Sequence, residues 1–140
     1  MAGEIAPDFQ IPFSIQGTEA KTKVSFATFM QFQTMQNLVE DTGTHDLGTL
    51  PPIPTLHDAL GRPIQYDTAT LEKFIRLFEI SITTTTEDDS KLFTILEQEY
   101  TDFEEIKKFL ILINYLDNTK FLNQLAKYSA ILIRDGKVQL

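Results

Sequence analysis

Five consecutive apolar residues, 109–113, constrain the fold of this chain more than any other feature of its sequence. They continue a helical pattern whose members recur every three or four positions, which predicts a buried helix face: Phe103, Ile106, Phe109, Leu110 and Ile113. The run is closed by a polar–aromatic–polar step, Asn114-Tyr115-Leu116-Asp117. This order indicates a buried helix whose last turn reaches the surface, and we expect that turn to contact another molecule.

Composition limits the size of the core and the class of partner. A chain of 140 residues that is 42% hydrophobic supports one domain with a real core, built mainly from Phe, Leu and Ile because Trp is absent. The formal charge of −8 and the pI near 4.6 argue against nucleic acid and against an anionic membrane surface. The absence of cysteine excludes disulfides, thiol catalysis and cysteine-based zinc sites.

No targeting signal is evident in the sequence. Residues 1–8 lack the basic and apolar regions of a signal peptide, and Ala2 stands where N-myristoylation needs glycine. No apolar run approaches the roughly 20 residues that a membrane helix needs. We therefore expect a soluble protein of the cytoplasm, the nucleus or both.

The N-terminal part has the pattern of a hairpin followed by helices. Residues 1–10 resemble a loose tail, and apolar residues then alternate at Phe9, Ile11, Phe13 and Ile15, which predicts a half-buried strand over 9–16. A turn at 17–20 and a return strand over 21–24 complete the hairpin. Ser25 is a candidate cap for a helix, a break is expected near 33–34, and a second apolar stripe follows: Met35, Leu38 and Val39.

The centre, residues 41–67, contains too many glycines and prolines for a long helix. Its extended pieces at 53–56 and 64–66 fit an edge strand. Asp67 or Thr68 is expected to cap a helix to about residue 79, with one apolar face: Leu71, Phe74, Ile75 and Phe78. On the exposed side of that helix, Glu72 and Arg76 are spaced for an ion pair.

The C-terminal part is predicted to be helical after a solvated acidic linker over residues 83–90. A short helix spans 91–100, and Thr101 with Glu104 fits a capping box for the next helix. Asn118 and Thr119 cap the last helix, which Asp135-Gly136 ends. Its wide apolar face is expected to comprise Phe121, Leu122, Leu125, Ala126, Ser129, Ile131, Leu132 and Ile133.

Chemistry-bearing residues are sparse. The two histidines, His45 and His57, lie in the central segment, and His57 precedes Asp58 without any nucleophile motif to complete a triad. No His-Glu-x-x-His spacing is present, and the acidic triplet of residues 87–89 lacks the alternating ligands and glycine of a calcium loop. The sequence predicts a protein without catalysis, metal or cofactor; an enzyme using His57 and Asp58 is the minor alternative.

Three segments in order resemble the Skp adaptors, the small BTB/POZ-fold subunits of cullin–F-box ubiquitin ligases, and more distantly elongin C. Residues 13–41 are similar to the family's opening strand pair and a helix ending in a Met-Leu-Glu-Asp-like sequence. Residues 97–100 resemble its Asp-Gln-Glu-Phe motif, with Leu96 in place of Trp. Residues 114–117 match its Asn-Tyr-Leu-Asp tetrad, and Lys127 with residues 133–137 follows its next helix. The resemblance covers residues 9–137.

The resemblance implies an α+β fold, with a small, mostly antiparallel sheet packed against helical hairpins and one extra C-terminal helix, as a single domain over residues 11–137. It also implies a non-catalytic adaptor that bridges a cullin N-terminal domain and an F-box-type receptor. Asn114 and Tyr115 would lie on the cullin-binding face. The receptor-binding face would involve four residues of the last helix: Leu122, Leu125, Ile131 and Leu132.

Two departures from the family keep alternatives open. Leu112 and Ile113 stand where the family has alanines. The family also has an extension that grips the F-box, and this sequence has no counterpart of it after Leu140, which fits either a truncated chain or a divergent paralogue with another partner. The alternative function is a BTB-like scaffold that self-associates or organises a larger assembly.

Overall fold

The protein is described from a computed structural model, which covers residues 6–42, 52–83, 89–99 and 101–136. Over these residues the fold is α+β, with a two-stranded antiparallel sheet and six helices. The strands are β1 (Gln10–Ser14) and β2 (Lys21–Ser25). The helices are α1 (Phe26–Phe29), α2 (Gln33–Thr42), α3 (Thr68–Thr83), α4 (Ser90–Gln98), α5 (Phe103–Leu116) and α6 (Thr119–Arg134).

The chain divides into two compact units, residues 1–75 and 76–140, and the boundary falls within α3. The predicted hairpin is confirmed in the first unit, where β1 pairs with β2 in a register that sets Ile11 opposite Val24. The alternation holds for Ile11, Phe13 and Ile15, which are buried, whereas Phe9 precedes the strand and is 45% exposed.

The hydrogen bonds of the hairpin fix which backbone groups point away from it. Ile15 N–H donates to the Ala20 carbonyl and Phe26 N–H donates to the Phe9 carbonyl, so the odd-numbered residues of β1 are the bonded positions. Pro12 lies at a non-bonded position, where its missing N–H costs no ladder bond.

The predicted edge strands in the centre are reduced to isolated bridges. Ile53 N–H donates to the Ser14 carbonyl at 2.8 Å, and Gln16 N–H donates to the Ile53 carbonyl at 2.7 Å, which makes one parallel bridge beside β1. A second bridge joins His57 and Pro63. The prolines at 52, 54 and 63 have no N–H to donate to a longer ladder of hydrogen bonds, so neither segment continues as a strand.

The helix boundaries in the first unit differ from the sequence pattern at one place. The Ser25 cap is confirmed, because its Oγ accepts a hydrogen bond from Thr28 N–H at 3.2 Å. The break comes at residues 30–32 instead of 33–34, and Gln33 already begins α2. The earlier break places the fully buried Phe32 ring 6.0 Å from the Phe13 ring, stacked against it, so core packing sets the position.

Helix α3 begins as predicted and ends later. The Asp67 carboxylate accepts a hydrogen bond from Thr70 N–H at 2.7 Å, but the helix continues four residues past the expected end at 79, to Thr83. The extra turn carries the fully buried Ser81. The Arg76 guanidinium forms its ion pair with Glu99, at 2.7 Å, and not with Glu72, the partner that the spacing predicts.

The second unit contains the end of α3 and helices α4 to α6. In its core the Phe78 and Phe121 rings lie 5.4 Å apart, and the half-buried Phe93 ring lies 5.5 Å from the buried Tyr128 ring. The apolar side chains without exposed surface here are Leu77, Phe78, Leu92, Leu96, Ile106, Phe109, Leu112, Ile113, Leu116, Phe121 and Leu125. The predicted inward positions of α5 are confirmed for Ile106, Phe109 and Ile113, while Phe103 and Leu110 are half-buried.

The predicted capping box at the start of α5 is wrong by one residue. The N-cap is Asp102, whose carboxylate accepts a hydrogen bond from Glu105 N–H at 2.8 Å. Thr101 is buried instead, and its Oγ1 has no hydrogen-bond partner among the described residues. An ionised carboxylate is a stronger acceptor at a helix N-terminus than a hydroxyl, which favours Asp102 as the cap.

Helix α6 is capped as predicted but buries a narrower face. Asn118 Oδ1 accepts a hydrogen bond from Phe121 N–H at 3.0 Å, and the helix ends at the Asp135–Gly136 stop. The buried positions are Phe121, Gln124, Leu125, Tyr128 and Leu132, whereas Ala126 and Ile133 of the predicted face are exposed. One core covers only part of the helix circumference, so residues at the ends of a wide apolar arc stay outside.

Candidate functional site at the corner of α5 and α6

The tetrad of residues 114–117 forms the corner between two helices of the second unit. Asp117 ends α5 in the left-handed conformation with φ of 65°, and it is the one non-glycine residue with positive φ in the described part of the chain. Its N–H donates to the Ile113 carbonyl at 2.7 Å. Asn118 then caps α6, so the connection is two residues long and each helix end at the corner has a cap residue.

The first three side chains of the tetrad become progressively more buried along the chain. Asn114 is exposed, Tyr115 is half-buried, and Leu116 is fully buried. Burial raises the pKa of the Tyr115 hydroxyl above its usual value, so the phenol is protonated at neutral pH. Because Tyr115 is half-buried on the last turn of α5, it presents part of its ring at the surface from a fixed backbone, a geometry that suits a protein contact.

The residues that distinguish this chain from the Skp pattern lie in the core. Leu112 and Ile113, which replace the family's alanines, have no exposed surface. Their added volume therefore fills the interior of the second unit and is not displayed beside Asn114 and Tyr115.

One further residue belongs to the surface at this corner. Ile111 precedes Asn114 by three residues and Tyr115 by four, so all three share one side of α5. It is half-buried. We refer to Ile111, Asn114 and Tyr115 as the corner face. Sequence reasoning missed Ile111 because it lies within the five-residue apolar run, although its spacing to the tetrad was a usable signal.

The four receptor-type residues predicted on α6 do not share one exposed surface. Leu125 and Leu132 are buried, and Leu122 and Ile131 are half-buried. Leu122 and Ile131 are nine positions apart, which sets them about 180° from each other around a helix of 3.6 residues per turn. They therefore lie at opposite edges of the buried face of α6.

A polar network in the second unit runs from the buried Ser81 through Gln124 of α6 to the surface. The buried Ser81 hydroxyl donates to Gln124 Oε1, and Gln124 Nε2 donates to Asp89 Oδ1 at 2.9 Å. Lys127 pairs with Asp89 at 3.3 Å, and Lys120 Nζ donates to the Ser81 carbonyl at 2.7 Å. The Gln124 bond, followed by Lys127 and Lys120, lowers the pKa of Asp89.

The acidic linker predicted over residues 83–90 takes part in this network through its residue Asp89. Asp89 is half-buried and accepts a hydrogen bond from the buried Gln124, so the end of the linker is not simply solvated. Residues 84–88, including Glu87 and Asp88 of the acidic triplet, lie outside the described residues.

The His57–Asp58 pair, the candidate for catalysis, belongs to a tight loop. Asp58 Oδ1 accepts hydrogen bonds from Leu60 N–H at 2.9 Å and Arg62 N–H at 3.0 Å. Its Oδ2 pairs with Arg62 Nε at 2.9 Å. These bonds, with the Arg62 amide first, lower the pKa of Asp58. The carboxylate thus organises a turn that exposes 76% of Leu60; His45 lies outside the described residues.

The described residues contain neither of two other kinds of feature, a metal-binding cluster or a membrane-spanning helix. No group of three or more His, Asp or Glu side chains there is arranged to hold a metal ion. None of the helices described has the length and apolar character required to cross a membrane.

Comparison of the chain with protein-family models, with curated proteins and with solved structures gives no match.

Proposed function

We propose that this chain is a non-catalytic protein–protein adaptor of the Skp type, with a BTB/POZ-like fold, acting in the cytoplasm, the nucleus or both. The corner face would receive the N-terminal domain of a cullin, and α6 would contribute to binding an F-box-type receptor. The observation that carries the proposal is the combination of an exposed Asn114 and a half-buried Tyr115 on the last turn of α5, at a corner where Asp117 caps α5 and Asn118 caps α6.

The rigidity of the corner supports a role in recognition. A partner that binds preformed side chains loses less conformational entropy than one that must order a loop. Partly buried tyrosines are also among the residues that contribute most to protein interfaces. The order of the three Skp-like segments, from the hairpin to the tetrad, supports the choice of this adaptor class over other binding proteins.

A second candidate function is self-association, as in a BTB-like scaffold. It is favoured by the side of α6 next to its buried face, where spacing aligns the half-buried Leu122 with Ala126 and Ile133. Ala126 is exposed and Ile133 is 38% exposed. Light scattering over a range of concentrations tests this function, since a scaffold of this kind gives a concentration-dependent dimer and an adaptor stays monomeric.

The adaptor proposal is tested by calorimetric titration of the protein with recombinant cullin N-terminal domains. We expect binding to at least one cullin, and Tyr115→Ala to weaken it about 30-fold or more, the effect of removing an interface hot spot. Tyr115→Phe keeps the ring and should retain most of the affinity if the apolar contact dominates.

Asn123→Ala serves as the matched control for Asn114→Ala, because both asparagines are exposed helix residues of the second unit. We expect only Asn114→Ala to weaken cullin binding. Thermal unfolding followed by circular dichroism verifies that each variant is folded. Failure of the wild-type chain to bind any cullin, with the fold intact, would contradict the proposal.

A further inference from the structure

The outer edge of β2 carries backbone groups that point away from the hairpin. The register and the two bonded pairs at its ends place Lys21, Lys23 and Ser25 at non-bonded positions. At such positions the N–H and carbonyl groups point away from the partner strand. Lys21 N–H donates to the Thr68 hydroxyl at 3.4 Å, and that hydroxyl donates to the Glu19 carbonyl at 3.0 Å. The start of α3 therefore already bonds the edge at Lys21 N–H, and the groups left for a partner begin with the Lys21 carbonyl.

The two edges of the hairpin differ. On the side of β1, Ile53 already bonds the outward groups of Ser14 and Gln16, and Pro12 has no N–H to offer. On the side of β2, no strand pairs with the edge within the described residues. The Lys21 carbonyl, both groups of Lys23 and the Ser25 N–H therefore form an edge suited to one more short strand.

A groove of about 650 Å³ lies against this hairpin in the first unit. Its walls include Pro12 and Ser14 from β1, Lys21 and Lys23 from β2, and Glu72 from α3. The groove is thus bounded by the outward-facing side chains of the strands, with room for the side chains of a peptide beside the edge.

The charges at the groove select the occupant. Lys21 and Lys23 are exposed, two residues apart, and so on the same side of the strand. Neither ammonium has an ion-pair partner within the part of the chain that is described, although the chain as a whole carries 20 acidic and 12 basic residues. A second copy pairing along this edge would bring like charges together.

We propose that the β2 edge binds an extended acidic peptide segment of another protein, which adds to the hairpin as a third strand. Main-chain hydrogen bonds to Lys23 and Ser25 hold the segment, and its carboxylates face the ammonium groups of Lys21 and Lys23. Glu72, which also lines the groove, repels acidic side chains, so it disfavours carboxylates away from the two lysines.

The probe is a short fluorescein-labelled peptide of alternating glutamate and valine, and its binding is followed by fluorescence anisotropy at low salt. We expect saturable binding that weakens as ionic strength rises. Replacing glutamate by lysine in the peptide should abolish it. No binding of the acidic peptide, or equal binding of both peptides, would overturn the proposal.

Charge variants locate the binding site. Lys21→Gln and Lys23→Gln should each weaken binding about threefold, the effect expected for a solvent-exposed ion pair, and Glu72→Gln should strengthen it. Lys91→Gln removes an exposed lysine of α4 and is the matched control, which should bind as the wild type does. Equal loss in Lys91→Gln would mean a general charge effect and would count against this site.

Hydrogen exchange measured by NMR tests the strand addition itself. Peptide binding should slow exchange of the Lys23 and Ser25 amides, which point outward. The Thr22 and Val24 amides already donate to β1 and should change little, so they act as internal controls. Peptide binding without added protection at Lys23 and Ser25 would exclude the added strand.

Discussion

At the scale of single residues, Tyr66 is expected to make the free energy of unfolding fall as the pH becomes alkaline. Its side chain is 3% exposed, and burial raises the pKa of its hydroxyl well above the ordinary value of 10.0. Above that ordinary value, the unfolded chain loses a proton that the native state keeps. The stabilisation is therefore complete below pH 10 and declines as pH rises toward the native pKa.

We expect the urea midpoint of the wild type to fall between about pH 9 and about pH 11, and Tyr66→Phe to reduce this fall. Tyr115→Phe is the control, because Tyr115 is half-buried whereas Tyr66 is buried. An identical pH dependence in wild type and Tyr66→Phe would contradict the assignment.

At the scale of elements, two neighbouring residues at the start of α5, Thr101 and Asp102, have different roles. Both are residue types that cap helices, but only Asp102 does so here. Asp102→Ala removes the carboxylate that accepts from Glu105 N–H, and we expect it to lower the free energy of unfolding by about 1 kcal/mol. Thr101→Val replaces a buried hydroxyl without a described partner, and should be neutral or stabilising by up to about 1 kcal/mol.

Urea unfolding of both variants checks this prediction. If Thr101→Val cost as much as Asp102→Ala, the threonine would be the functional cap and the assignment of Asp102 would be wrong.

The polar network in the second unit couples α3, α4 and α6 through Gln124. Gln124→Leu preserves most of the side-chain volume but removes hydrogen-bond partners of Ser81 and Asp89, so we expect a loss of about 2 kcal/mol in unfolding free energy. It should also raise the pKa of Asp89 toward its ordinary value, because the Gln124 bond is the largest cause of the shift.

Carboxyl-carbon NMR titration measures that pKa, with Asn123→Ala as an exposed neighbouring control. The lowered pKa of Asp89 stabilises the wild type above pH 3.8, and this contribution is lost as pH falls through the native pKa. Gln124→Leu should therefore lose less stability on acidification than the wild type. An unchanged Asp89 titration in that variant would contradict the proposed coupling.

The elements that sequence predicted best are those with local signals. Alternation identified the hairpin, and Ser25, Asp67 and Asn118 were found as caps because their hydrogen bonds join residues three apart. The break at residues 30–32 depends on where Phe32 packs, and the network of Ser81, Gln124 and Asp89 joins residues far apart in the chain. Neither kind of contact leaves a periodic pattern.

At the scale of the whole molecule, the division at residues 75 and 76 has no counterpart in composition. Ile75 and Leu77 on either side of it are buried residues of one continuous helix, α3, so no polar or glycine-rich stretch marks the boundary. The prediction of one domain over 11–137 therefore stays a prediction. For the candidate site, the sequence predicted that the helix turn at Asn114 and Tyr115 reaches the surface, and Asn114 is exposed and Tyr115 half-buried. Their role in binding stays a prediction, and which residues of α6 are buried depends on tertiary packing that the sequence pattern does not show.

The exposed Leu60, held on the turn that Asp58 organises, offers a handle for spectroscopy. Because the chain has no cysteine, Leu60→Cys would create a single thiol in an exposed position, and little apolar contact would be lost. A maleimide dye attached there would report on assembly through energy transfer or rotational diffusion while leaving the α5–α6 corner chemically untouched.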